Sequence, residues 1–323
     1  MITNEQIRMN TKTTWEHLDM LAWLTSVTET EAGLPGFSLQ LGDGSHWWIS
    51  GYPPRTSWVE KLAAIMHLHP AKNRGPNRMV FFTRKVSPSK TETASAPPPG
   101  WFCQRLMYMH NWYRLDSPDI FCEMDPVFCE FGGYGILWSA LHFIHRNSIK
   151  LGGLPFHATL ASFQGQAVIL AGPSGTGKTT CYHRLPPSWQ PLCDDELLVV
   201  LSPQGHYLAH PFPTWSDYLL HRTEKSWKVE DAVPLAGIFF LEQSTNDYCT
   251  PLSLTESTVS VTGSAQQVLI RFLPTCDPRE ARNVRQAIFE NACELVKKIP
   301  AFRLQVSLTG RFWEKIETVL GWK

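Results

Sequence analysis

The sequence has no long apolar run. No stretch of 18 apolar residues occurs in its 323 positions, so it offers no candidate for a membrane-spanning helix. The first 30 residues, "MITNEQIRMNTKTTWEHLDM" and onward, lack the apolar core of a signal peptide, and a cytoplasmic protein is expected. Net charge is absent as well: 29 Lys and Arg balance 29 Asp and Glu. A neutral chain argues against nucleic acid or an anionic membrane as the main partner. The eight cysteines are scattered from Cys103 to Cys293 with no Cys-x-x-Cys pair, so free thiols are expected rather than zinc ligands or disulfides. No repeat of 20–50 residues is visible. The guanine-reading Asn-Lys-x-Asp motif and the Leu-Ser-Gly-Gly signature of transporter ATPases are both missing.

What the chain does have is apolar mass and aromatic rings. Hydrophobic residues make up 43%, with 13 Trp, 17 Phe and 8 Tyr, enough for a sizeable core. Trp47, Trp48, Trp58, Trp101 and Trp112 lie in the first half. They either fill the core of a small domain, the expected reading, or line a peptide groove. Length and pattern suggest two domains: an α+β unit over 1–131 and a second unit over 132–323. Residues 87–100, "SPSKTETASAPPPG", read as a loop or disordered segment.

Local signals place several elements. Thr13-x-x-Glu16 has the form of a capping box. "FSLQLGDGSHWWIS" reads as a hairpin with strands 37–41 and 46–49. A helix is expected over 57–68 with Ser57 as its cap, and strands over 78–84, 102–108 and 119–123. A boundary near Gly132-Gly133 precedes a helix over 136–149. Strands over 156–163 and 166–171 should be joined tightly at Gln164-Gly165, and another strand is expected over 197–201.

The second strand of that pair runs into "LAGPSGTGKTT". From Gly172 to Thr179 this fits Gly-x-x-x-x-Gly-Lys-[Ser/Thr], the phosphate loop. The strand–loop–helix context, with a helix from about Lys178 ending before Pro186-Pro187, strengthens the motif. Gly172, Gly175 and Gly177 let the backbone bend so that amides from about Ser174 through Thr176 to Thr180 point inward at a phosphate. Lys178 would reach the β/γ-phosphates and Thr179 would ligate Mg²⁺. Two further features narrow the chemistry. Asp194-Asp195 follows the loop closely, so one carboxylate can hold Mg²⁺ and its neighbour can take a hydroxyl proton. His157 opens the strand before the loop, from where it can hold a carboxylate ionised or shuttle a proton.

Together, "FHATLASFQGQAVILAGPSGTGKTT" and "CDDELLVV" resemble the catalytic domain of HPr kinase/phosphorylase and its relatives. The resemblance covers 155–201 well and 136–323 loosely. It implies a PEP carboxykinase-like P-loop domain with a mixed sheet, here preceded by a smaller α+β N-terminal domain. It also implies ATP and Mg²⁺ as cofactors. By the same resemblance Asp194 is the base toward the acceptor hydroxyl and His157 its support. Asp195 and Thr179 are the Mg²⁺ ligands and Lys178 the phosphate lysine. "PLAGIFFLEQ" is similar to a core strand of these kinases, and "IPAFRLQVSLTGRFWEKIETVL" to their closing strand and helix.

The departures from that family bear on the acceptor. The glycine-rich signature that carbon-regulating members carry after the acids is not found. "HPFPTWSDY" (210–218) stands there instead, as a lining of the acceptor pocket or as a turn with a buried Trp. HPr as acceptor and the reverse, phosphorolytic reaction are therefore not implied. Arg222 and Arg271 stand as candidates for the family's late arginine. The layout also resembles the ScmC-type proteins of the SynChlorMet cassette, which accompany radical-enzyme peptide modification, so cassette partners are implied. The expected activity is an ATP-dependent kinase acting on a Ser/Thr hydroxyl of a small protein or peptide, with an oligomer compatible. The alternatives are a small-molecule hydroxyl kinase and a nucleotide-binding accessory protein for a modifying enzyme.

Overall fold

The structure, a computed structural model, describes residues 34–53, 55–71, 74–83, 99–107, 109–124, 133–219 and 225–322. The Thr13–Glu16 capping box, most of the 87–100 segment and Arg222 lie outside the described residues.

Two mixed sheets organise the chain. The first runs β3-β1-β2-β4-β7-β6-β5, from β1 (Gly36–Gln40), β2 (His46–Gly51), β3 (His69–Ala71), β4 (Asn77–Phe82), β5 (Phe102–Leu106), β6 (Met109–Tyr113) and β7 (Ile120–Met124). The expected hairpin is there, antiparallel with Gln40 opposite His46. Parallel pairing of β2 with β4 and of β4 with β7 forms the centre of this sheet. The expected strand over 102–108 is instead a hairpin. Met107 adopts φ 55°, and the chain reverses there between β5 and β6. Helix α1 (Thr56–Met66) begins one residue before the expected start. Ser57 lies inside it, and the N-cap is Arg55, whose carbonyl accepts from Trp58 and Val59 N–H while no side chain caps the end. Trp47, Trp48 and Trp112 are buried, in agreement with the core reading.

Helix α2 (Gly133–Lys150) leads into the second sheet. Its main path is β11-β9-β10-β14-β13-β12-β8, with β16 paired to β14 and β15 to β16. The strands are β8 (Leu154–Phe156), β9 (Ala158–Phe163), β10 (Gln166–Ala171), β11 (Gln190–Asp194), β12 (Leu197–Leu201), β13 (Tyr207–Pro211), β14 (Val233–Gln243), β15 (Tyr248–Pro251) and β16 (Ala301–Val306). Strand β10 is buried on both faces, as its unbroken run of small and branched apolar residues suggests. Ala167, Ile169 and Ala171 face one core cluster, and Val168 and Leu170 face the other. The first of these clusters draws on both sheets, from Leu39 to Ala301. Gln164 and Gly165 have φ 51° and 76° and close the β9–β10 hairpin in a conformation that primed two-residue turns require.

The expected strand over 156–163 is split at His157. Before it, Phe156 pairs with Leu197 of β12; after it, Thr159 pairs with Asp194 of β11. The opposing chain divides at the same level, leaving Asp195 and Glu196 between β11 and β12. The sheet thus opens where the notable polar residues sit, and Ala158 N–H still donates to Asp195 O at 3.2 Å.

Among the described residues five more helices follow: α3 (Lys178–Arg184), α4 (Trp215–Leu219), α5 (Leu254–Val268), α6 (Pro278–Lys298) and α7 (Phe312–Val319). Helix α5 starts with a reciprocal capping box, Ser253 with Glu256, and α6 with Asp277 accepting from Arg279 and Glu280 N–H ahead of Pro278 at its first position. Gly263 lies inside α5, where a Cβ would meet nothing within 4 Å. Gly263→Ala is expected to raise stability by about 0.5–1 kcal/mol, read as a higher denaturant midpoint.

Candidate functional site

The loop leaves the C-terminal end of β10 and enters α3. Gly175 and Gly177 have φ 85° and 102°, a region closed to most side chains, and Gly177 is the N-cap of α3. A Cβ on Gly172 would come to 2.8 Å from Thr176 Oγ1. The Lys178 ammonium bends back over the loop and donates to Gly172 O at 2.8 Å and Pro173 O at 3.2 Å. Thr176 donates its hydroxyl to Pro173 O at 2.8 Å, and Gln243, the last residue of β14, donates to Gly175 O at 2.8 Å. The loop's own side chains and the adjacent strand β14 therefore hold its shape.

The acids face this loop across a pocket of about 380 Å³ lined by His157, Ser174, Gly175, Gly177, Lys178, Thr179, Thr180, Asp194 and Asp195. All nine belong to the residue set expected from the sequence. The remaining two, Gly172 and Thr176, line the cleft that adjoins it. Asp194, at the end of β11, accepts from the Thr159 hydroxyl on the paired strand, and the nearby Thr179 side chain helps to lower its pKa. Asp195 lies 3.3 Å from His157 Nδ1 and accepts from Ser216 N–H at 3.4 Å. His157 thus pairs with Asp195 and not with Asp194, the partner that the resemblance implies, and the Thr179 side chain lies beside Asp194.

Burial sets the electrostatics. It raises the pKa of both Asp194 and Asp195, and the hydroxyl partners of Asp194 and the ring beside Asp195 pull each back. It lowers those of Lys178 and His157, against the attraction of the two carboxylates. Such an arrangement suits an anion held by amides and an ammonium, next to carboxylates able to take a proton or bind a hard cation. Among the described residues no group of three or more His, Cys, Asp or Glu forms a metal cage. The oxygen set of Thr179, Asp194 and Asp195 fits Mg²⁺ in the way that ion is usually held, by one or two carboxylates together with substrate phosphates.

The "HPFPTWSDY" segment divides its work. Thr214 and Ser216 line the acid pocket, Thr214 accepting from Asp194 N–H at 3.3 Å, while Trp215 is buried. The segment thus borders the pocket through Thr214 and Ser216 and buries its Trp215 at the start of α4. Tyr182, His183, Asp217, Lys225 and Trp227 also line the pocket without having stood out in the sequence. Arg271 does not line it; its guanidinium lies 5.4 Å from the Trp138 ring centroid.

Glu196 extends the acidic run but points the other way, into the core. Its Oε2 accepts from Trp138 Nε1 at 2.9 Å, and its Oε1 lies 3.1 Å from His145 Nε2 without hydrogen-bond alignment. Burial pushes its carboxyl up to about 8 from an ordinary 4.5, and pushes His145 well below its usual 6.5. Between 4.5 and about 8 the folded protein binds the extra Glu196 proton, so this group makes stability fall as pH rises. Below 6.5 the buried His145 acts oppositely, since the unfolded ring takes the proton. Glu196 therefore dominates from 6.5 to about 8, with a slope of at most about 1.4 kcal/mol per pH unit. Glu196→Gln is expected to flatten the fall of the calorimetric Tm across that window. An unchanged slope would assign the effect to another group.

Fold and site together define a mixed α/β protein in which a Gly-x-x-x-x-Gly-Lys-Thr loop on the second sheet faces two aspartates and a histidine. The chain belongs to the family described as SynChlorMet cassette protein ScmC, which matches residues 120–321 and so spans every residue of the site. No curated protein matches the chain. Membership supports an association with the other components of that cassette. No helix among the described residues is long and apolar enough to cross a membrane.

Proposed function

We propose that the protein is an ATP-dependent phosphotransferase acting on a Ser or Thr hydroxyl of a small protein or peptide. The supporting observation is the convergence of Lys178, Thr179, Asp194, Asp195 and His157 around one pocket at the loop. In this reading the loop amides and Lys178 hold the phosphates of ATP. Mg²⁺, when bound, neutralises phosphate charge, with Thr179 and Asp195 as its protein ligands. The acceptor oxygen forms its bond to the γ-phosphorus as the bond from that phosphorus to the β–γ bridging oxygen breaks. ADP leaves, and Asp194 receives the hydroxyl proton. Most of the catalytic effect comes from positioning and charge stabilisation. The domain would then be of the PEP carboxykinase-like P-loop type and akin to HPr kinases, with a mixed sheet in keeping with that assignment.

The test is titration of ATP and Mg²⁺ into the protein and into Lys178→Ala, followed by transfer assays with γ-labelled ATP. Loss of a charge-assisted contact, about 1.5–3 kcal/mol, should weaken ATP binding by about 10–150-fold. Equal affinity in the two proteins overturns the loop assignment. ATP binding without transfer to any hydroxyl would leave a nucleotide-binding accessory protein in place of a kinase.

A further inference from the structure

A cavity of about 1040 Å³ adjoins the acid pocket and is lined by neither Asp194 nor Asp195. It shares Ser174 and Gly175 with that pocket, so the lip of the loop is their common wall. The other walls are the first half of the loop, the end of β14, α5, the connection from α5 to α6, and Arg285 of α6. Its volume is at the upper limit for small-molecule sites, whereas the acid pocket lies near the lower one.

Three observations indicate what enters. The first is direction. Lys178 Nζ rests on the carbonyls of Gly172 and Pro173. The lysine of such a loop reaches the β/γ-phosphates. The γ end of the phosphate chain therefore points toward the half of the loop that borders the cleft, and the acceptor, not the nucleoside, must meet that end. The second is the bare backbone at Gly263. A glycine inside a helix is unfavourable, yet this one leaves open space on the cleft wall, where another chain can approach closely. The third is Ser264, also on that wall. Its residue is 7% exposed, and its hydroxyl is closed off and has no hydrogen-bond partner among the described residues, so this wall carries an unsatisfied polar group just behind the cleft surface. Gln266 and Gln267 add amide donors and acceptors, and Ile270, 65% exposed, adds an apolar contact. Amide edges, a bare helix turn, exposed aliphatic contacts at Ile270 and one charge of each sign at Glu242 and Arg285 match a polypeptide better than a highly charged metabolite of one sign.

We propose that this cleft binds an extended segment of polypeptide, whose Ser or Thr hydroxyl passes the lip at Ser174–Gly175 into the acid pocket. The inference rests on the phosphotransferase reading for direction, but peptide binding is measurable without transfer. The experiment compares the whole protein with Gly263→Phe and Gly263→Ala. The probes are dye-labelled dodecapeptides of varied sequence, each with one Ser or Thr, with a non-hydrolysable ATP analogue and Mg²⁺ present. Anisotropy reports peptide affinity, and γ-labelled ATP reports transfer. Gly263→Phe should weaken peptide binding by about tenfold or more while ATP affinity stays within about twofold, and Gly263→Ala should bind peptide nearly as the parent does. If Gly263→Phe fails to fold, Gln267→Trp serves as the obstructing variant.

Absence of any peptide binding overturns the proposal, as does a folded obstructing variant that binds peptide like the parent. Transfer confined to small hydroxyl compounds overturns it too, and leaves the phosphotransferase reading intact. Peptides that bind, are lost on obstruction and are never phosphorylated support the cleft and overturn the phosphotransferase reading.

Discussion

Replacing Asp194 by asparagine is expected to lower the rate of phosphoryl transfer by about 10²–10⁴-fold while ATP binding survives. Asparagine keeps the shape and an oxygen that accepts from Thr159, so the end of β11 should stay in place. What disappears is the ability to take a proton. Burial already raises the Asp194 pKa, which makes its carboxylate a better proton acceptor than an exposed one. Asp195→Asn provides the contrast. Under the proposed division of labour it should increase the Mg²⁺ concentration needed for half-maximal rate, with a smaller loss at saturating Mg²⁺. The contacts make this comparison sharp, because Thr179 lies beside Asp194 and His157 pairs with Asp195. If the metal requirement shifts in Asp194→Asn and the saturated rate collapses in Asp195→Asn, the two roles are exchanged and Asp195–His157 is the proton-accepting pair. If neither variant loses more than a few-fold, neither carboxylate is the base.

The parts of this site that the sequence displays are those set by local chemistry. The glycines of the loop, the Gln164-Gly165 turn and the apolar run of β10 each act within a few residues, and each lies where expected. The split at His157 was not legible, because it depends on which distant strand each half pairs with. "LPFHATLASF" reads as one strand, and only β11 and β12 divide it. The same holds for Thr159, an ordinary strand residue until β11 brings Asp194 opposite it. Glu196 misleads in the other direction. It stands next to the two aspartates in sequence, but the chain turns it inward to Trp138 and His145, which no local signal announces. In the first sheet the individual strands have local signals, but the parallel pairings β2–β4 and β4–β7 do not. Helices α5 and α6 were not among the expectations although Ser253–Glu256 and Asp277-Pro278 are start signals. Helix α5 pairs its cleft-facing serines, glycine and glutamines with few large apolar residues, and this dilutes the 3.6-residue pattern.

Loss of the Glu280 carboxylate is expected to destabilise the fold severely. Arg146 of α2 donates to Glu280 Oε1 at 2.7 Å, and Tyr113 of β6 donates its hydroxyl to Oε2 at 2.5 Å. Both charged residues are almost fully buried, and the guanidinium carbon lies 4.2 Å from the Tyr113 ring centroid. Three elements therefore meet at one carboxylate: a strand of the first sheet, the helix that leads into the second, and the first turn of α6. Glu280→Ala removes one partner and strands a cation away from water, a change that costs about 3–5 kcal/mol. Total stability of a folded domain is about 5–15 kcal/mol, so the loss should appear as a large drop in denaturant midpoint. The double variant Arg146→Met, Glu280→Leu removes both charges and should recover most of that loss, since an apolar replacement of a buried pair is often neutral or better. A double variant as unstable as Glu280→Ala would show that packing at this junction, not the stranded charge, is what matters. The consequence reaches the cleft. Arg285, on its wall, lies little more than one helical turn beyond Glu280 in α6. A loosened start of α6 should therefore weaken peptide binding in Glu280→Ala more than ATP binding, and the double variant should restore both.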